Sequence, residues 1–217
     1  MSFMINGQGS DVIKMIMVLT LISVAPFILL MMTCFTRIII VLSFLRSALG
    51  LQQTPPNQVL VGLALFITFF IMQPVLHQVN ETALKPYNDG LIQTQEFLDR
   101  ASVPMKEFML KQTTKPEVEL FKSLSADKDV QKMDASELPM HIVVPAFITS
   151  ELKRAFLIGF LLYIPFLIID MIVASTLMSM GMIMLSPVMI SLPFKVMLFV
   201  VVDGWGLLIK TLVMTYH

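Results

Sequence analysis

AFLIGFLLYIPFLIIDMIVASTLMSM, residues 155–180, is apolar almost throughout, with Pro165 and Asp170 the main interruptions. About 20 such residues cross a bilayer core as a helix, so this run is long enough to span a membrane. Three more runs of the same kind lie around it. Met15–Thr36 has 22 residues and Val59–Leu76 has 18. Pro187–Val202 carries Pro193 and Lys195 and continues past Asp203 to Tyr216. Between the first two lie Arg37, a short apolar stretch Ile38–Leu45, Arg46, and then Ser47–Asn57 with Gly50 and Pro55-Pro56, which reads as a turn.

Composition agrees with a membrane setting. Apolar residues make up 56% of the 217 and charged residues 14%, where soluble domains carry about 25% charged. Of the 30 Lys, Arg, Asp and Glu residues, 19 fall between Glu81 and Glu137. The net charge is zero, which offers nucleic acid no basic field. The expected fold is an all-α membrane protein: two hydrophobic helical hairpins, made of four kinked apolar segments, with a helical polar segment between them. The divisions are a short polar N-terminus at 1–14, the first hairpin at 15–76, the polar segment at 77–149, and the second hairpin with a Met-rich turn at 150–217. Met1–Lys14 has no basic n-region, so the first run reads as a retained helix rather than a cleaved signal.

Inside the polar segment, Thr114 and Glu117 have capping-box spacing, with Pro116 in the first turn. Phe108, Met109, Val118, Phe121 and Leu124 fit apolar stripes on two short helices, and Lys128–Glu137 reads as a solvated loop. The bare tip charges Arg37 and Arg46 favour the first hairpin's turn in the cytoplasm and the polar segment outside it, while Lys153 and Arg154 at the entry to the third run argue mildly the other way.

Five charges sit in or beside apolar runs: Arg37, Arg46, Asp170, Lys195 and Asp203. A charge at mid-bilayer costs at least about 2.5–3.5 kcal/mol, so such residues pair, line wet cavities or meet other protein. An Asp–Lys pair across the second hairpin is the bland reading. A proton relay through Asp170, Lys195 and Asp203, in a proton-coupled small-solute transporter, is the main alternative, although no inverted repeat accompanies it. An aspartyl hydrolase using Asp170 and Asp203 is weaker still, because their contexts are IIDM and VDGW. No catalytic residue, cofactor or metal site is assigned. His77, His141 and His217 are scattered, and Cys34 lies in an apolar run as a small hydrophobe.

Prolines at 26, 74, 145, 165, 187 and 193 suggest bent helices packed on other protein. Methionine is the other departure, with 19 in all. Met178, Met180, Met182 and Met184 alternate, and an extended turn around Gly181 would put them on one side. Methionine is unbranched and re-packs easily, so such a turn could seal an opening and still yield.

MMTCFTRIIIVLSFLRSALG (31–50), PPNQVLVGLALFITFFIMQP (55–74), SELKRAFLIGFLLYIPFLIIDMIVAS (150–175) and SLPFKVMLFVVVDGW (191–205) resemble the FliP family of type III secretion export gates. The resemblance runs from about residue 15 onward. It implies a homo-oligomer with FliQ and FliR and other export-apparatus membrane proteins, around a conduit for unfolded substrates in the bacterial inner membrane at the flagellar basal body. It also implies an extracytoplasmic middle segment. By the same resemblance Met182, Ile183 and Met184, flanked by Met178, Met180 and Gly181, form a pore gasket, with Ile183 where the family has Met. Phe108, Phe121 and Glu151 are the implied self-association residues.

Overall fold

The structure, a computed structural model, describes residues 15, 16, 19, 20, 23 and 26–216. The polar N-terminus 1–14, much of the first apolar run, and His217 lie outside the described residues. Among those described, the regular structure is helical.

The first run is not one straight helix. Helix α1 (Pro26–Met32) meets α2 (Phe35–Ala48) at 77°. Hydroxyls occupy the carbonyls freed at this bend. Thr33 Oγ1 donates to the Leu29 carbonyl, and Thr36 Oγ1 donates to that of Leu30 at 2.5 Å. The bend therefore needs neither glycine nor proline at its apex.

Helix α3 (Asn57–Val79) returns from the turn and runs through a π-helical turn (Asn80–Leu84) into α4 (Lys85–Asn88). The polar segment supplies α5 (Thr94–Gln112), α6 (Lys115–Leu124) and α7 (Lys128–Lys132). The expected loop at Lys128–Glu137 thus begins as a helix. The Asp127 carboxylate accepts from the Asp129 N–H at 2.9 Å, and that capping starts the turn.

Helix α8 (Met140–Ser179) has 40 residues and passes straight through the position where the composition turns apolar. At 1.5 Å per residue it is about 60 Å long, roughly twice a bilayer core. After a turn, α9 (Pro187–Val201) and α10 (Gly204–Met214) follow, bent by 63°. Asp203 at the break adopts φ 50°. Asn57–Asn88 and Met140–Ser179 are long and apolar enough to cross a membrane, and each bent pair could make one further span.

The core forms where α2 lies along α8. Gly159 permits this approach: a Cβ there would stand 2.5 Å from the Phe44 ring. Phe44 then meets Phe156 and Tyr163 edge-on, with centroids 5.3 and 6.3 Å apart. In contrast, only 11% of the most apolar stretch of α8 is buried. Most of that surface is left for lipid or another protein.

Arg37 is not a tip charge. It lies in the first turn of α2, fully buried and paired with an acid, so it has no place in the charge argument for orientation. Arg46, in the last turn of α2, does stand beside the hairpin's turn and reaches the Pro55 carbonyl at 3.4 Å.

Candidate functional site

Three features of hairpin two and its surroundings concentrate the chemistry. The first is a sealed polar cluster around Arg37. Its Nε donates to Glu151 Oε2 at 2.9 Å, and Nη2 donates to Glu151 Oε1, a two-point fork. Its Nη1 donates to Thr215 Oγ1 at 3.0 Å. The Tyr216 ring lies over the guanidinium, 3.9 Å from carbon to centroid, and the Tyr216 hydroxyl donates to Glu151 Oε2 at 2.5 Å. Phe108 stacks on Tyr216 with centroids 6.2 Å apart, and also meets Phe147 at 6.0 Å. Gln112 donates to the Tyr216 carbonyl at 3.2 Å, and Arg154 donates to the Gln112 amide oxygen at 3.2 Å. Helices α2, α5 and α8 and the end of α10 therefore converge on one buried charge pair.

The second feature is the Asp170–Lys195 pair, near the far end of hairpin two. Lys195 Nζ lies 2.6 Å from Asp170 Oδ2 and also donates to the Ala48 carbonyl at 3.3 Å. That carbonyl closes the last turn of α2, where a cation suits the helix dipole. Ser191 Oγ donates to Asp170 Oδ1 at 2.5 Å. Both carboxylate oxygens thus have donors. Asp203 is exposed and forms no ion pair among the described residues. The structure therefore joins Asp170 to Lys195 and leaves Asp203 out.

The third feature is the turn of hairpin two. Gly181 has φ 73°, a left-handed conformation that glycine adopts without a Cβ clash. Its N–H donates to the Met178 carbonyl at 3.1 Å, and the Met182 N–H donates to that of Leu177 at 2.9 Å. This is a Schellman motif, which satisfies carbonyls at the end of α8. Met178 is consequently helical, and the four alternating methionines do not share one extended strand. Met182 is 41% exposed, Ile183 84% and Met184 98%. Beyond the cap, Ile183 and Met184 are thus almost free of contacts within the chain, while Met182 is partly covered.

The capping box is not made. Thr114 stands at the N-cap of α6, but its side chain caps nothing. Its N–H donates to Ser150 Oγ at 3.1 Å, and Glu117 turns to Lys153 at 3.0 Å. Docking of α6 on α8 redirects both groups.

The FliP family model matches residues 18–212. The flagellar biosynthetic protein FliP of Bacillus subtilis (strain 168) is 54% identical over 211 residues, covering 95% of this chain and 93% of that protein. That of Aquifex aeolicus (strain VF5) is 50% identical, covering 97% and 89%. That of Pectobacterium carotovorum subsp. carotovorum is 51% identical, covering 94% and 79%. This chain belongs to the FliP family.

In this FliP-family chain, Phe108 and Glu151 both face inward, and Phe121 is half-buried on α6. Tyr216, Thr215, Gln112 and Ser191 complete the two polar clusters, yet nothing in the sequence singles them out. Gln112 and Tyr216 are polar residues of ordinary context, and only the fold brings them together across 104 positions.

Proposed function

We propose that the chain is a non-enzymatic, pore-forming subunit of the flagellar type III protein-export gate. With sister copies, FliQ, FliR and other export-apparatus membrane proteins it lines a conduit for unfolded substrates. The gate sits in the bacterial inner membrane at the flagellar basal body, with residues 77–149 on the extracytoplasmic side. Arg46 at the turn of the first hairpin supports that orientation.

One observation carries the reading: the bare apolar tip Met182-Ile183-Met184, held at the end of α8 by the Gly181 cap. A free apolar tip is costly in water and gains nothing from the protomer's own core. Closed against the tips of sister copies it excludes water, and its flexible methionines re-pack when a chain passes. Ile183 is branched and stiffer at the centre of the tip. Phe108 and Glu151 serve self-association through the shape of the protomer, since both are buried inside it. Lys195 and Ser191 hold the Asp170 carboxylate while Asp203 joins no ion pair among the described residues, which counts against a three-residue relay and against a paired-aspartate hydrolase.

The test replaces Met182 and Met184 with Gly in cells carrying the complete gate. Ion leak should rise while the gate still assembles. If neither leak nor secretion changes, the tip is no seal.

A further inference from the structure

We propose that Tyr216 is a positioning residue that locks the buried Arg37–Glu151 pair and thereby fixes the protomer in the shape that assembles. The proposal rests on the reading of the chain as an assembling subunit.

The geometry gives Tyr216 three separate grips. Its hydroxyl supplies a hydrogen bond to Glu151 Oε2, an oxygen already held by Arg37 Nε. Its ring covers the guanidinium from the face, with the cation 3.9 Å from the centroid. A guanidinium stacked on an aromatic face is attracted to the ring quadrupole, more strongly when water is excluded. Its backbone carbonyl is held by Gln112 of α5, and the Phe108 ring of the same helix stacks against its ring. Thr215, one residue earlier, accepts from the free arm of Arg37. A single residue after α10 thus ties the end of hairpin two to hairpin one, to the polar segment, and to α8.

The consequence follows from how poorly an ion pair in a low-dielectric site tolerates imperfect solvation. A buried carboxylate and guanidinium stay buried only while their remaining polar atoms find partners. Tyr216 supplies one of those partners and the lid. Remove the lid, and Arg37 and Glu151 are free to draw in water. The seam among α2, α5 and α8 then loosens, and α10 loses the anchor beyond its bend from α9. A surface built from all these elements no longer has one shape to offer a sister copy.

The experiment uses the full chain, expressed with its native gate partners, and reads the fraction recovered in the high-mass membrane complex beside total chain in the membrane. Tyr216→Phe keeps the ring and loses the hydroxyl. It should lower recovery about threefold, the weight of one buried hydrogen bond. Stepwise fluorination of the ring in the Tyr216→Phe variant weakens its quadrupole at nearly constant shape, and each step should lower recovery further. Tyr216→Leu loses both and should lower it about tenfold or more. Combined with Glu151→Leu, which removes the acceptor, Tyr216→Phe should add no further loss, because the hydroxyl acts through that carboxylate. The proposal is overturned if Tyr216→Leu assembles normally, if fluorination has no effect, or if the Tyr216 and Glu151 losses simply multiply. If Tyr216→Leu fails to accumulate, the fluorinated series decides. If the wild-type chain itself forms no complex, the subunit reading falls. The same double-mutant coupling, read on the unfolding midpoint of the protomer, then judges the lock alone.

Discussion

Arg37–Glu151 and Lys195–Asp170 each join a cation to an acid on α8, yet their surroundings differ. Arg37 and Glu151 are both fully buried, whereas the Asp170 side chain is 25% exposed and that of Lys195 3%. The first pair uses the planar fork of arginine, which fixes geometry at two points, and an aromatic lid. The second uses a compact ammonium with one carboxylate contact and one helix-end carbonyl. The sealed pair sits where hairpins and polar segment meet. The open pair sits where the turn of hairpin one meets hairpin two, on the tip side of α8. The long helix therefore carries a fully enclosed pair on one side of Gly159 and a partly exposed pair on the other.

The comparison breaks most visibly if one partner is removed from each pair. Arg37→Met strands Glu151 in the core and should cost about 3–5 kcal/mol, the usual result of orphaning a buried charge. Lys195→Met leaves Asp170 with Ser191 and access to its surroundings, so about 1–3 kcal/mol is expected. Unfolding midpoints in detergent measure both. Adding Glu151→Leu to Arg37→Met should recover much of the first loss, because no charge is then stranded. Equal losses for the two single variants would erase the distinction between sealed and open pairs.

Gly159 lies between the two pairs on α8 and sharpens the contrast. Gly159→Ala puts a Cβ 2.5 Å from Phe44, and Phe44 is pinned between Phe156 and Tyr163. Overpacking of this kind costs about 1–3 kcal/mol. The strain should release toward the less enclosed pair, so hydrogen exchange should rise around Asp170–Lys195 more than around Arg37–Glu151. A uniform rise along α8 would mean that the two pairs hold the helix equally.

The apolar runs made the helical class and the membrane setting legible, because few other structures accept such lengths of Ile, Leu, Phe and Met. Asp170 and Lys195 stand out for the same reason: they are charges in apolar company. Glu151 does not stand out, since Lys153 and Arg154 follow it and suggest a wet boundary. The partner of Arg37 lies 114 residues away, so the arginine reads as a tip charge until the fold is known. The bend at Thr33-Cys34 is hidden because hydroxyls make it rather than proline or glycine. Thr114 and Glu117 have the local pattern of a capping box, but tertiary partners override it. Local rules therefore identify the elements here, and long-range polar contacts decide what the elements do.

Glu117–Lys153 is the weakest of the cross-element ion pairs and gives the smallest expected effect. The hydrogen bond from Lys153 holds the Glu117 carboxyl below the usual carboxylate range, against burial, which pushes it up. A carboxylate with a lowered folded pKa contributes stability that is fully present above its unfolded value of about 4.3. That contribution is lost as pH falls through the lowered folded value. Glu117→Gln should therefore destabilise slightly at neutral pH and flatten part of the acid limb of the stability curve. Lys153 is 67% exposed, so water and salt screen the pair, and the effect should stay below about 1 kcal/mol. Unfolding midpoints of wild type and variant, compared from about pH 6 down to about pH 3, isolate it from the other carboxylates. The two curves should converge as the pH falls. Parallel curves would mean that Lys153 does not hold Glu117 in the folded protein, and that α6 stays on α8 through the Ser150–Thr114 hydrogen bond and apolar packing alone.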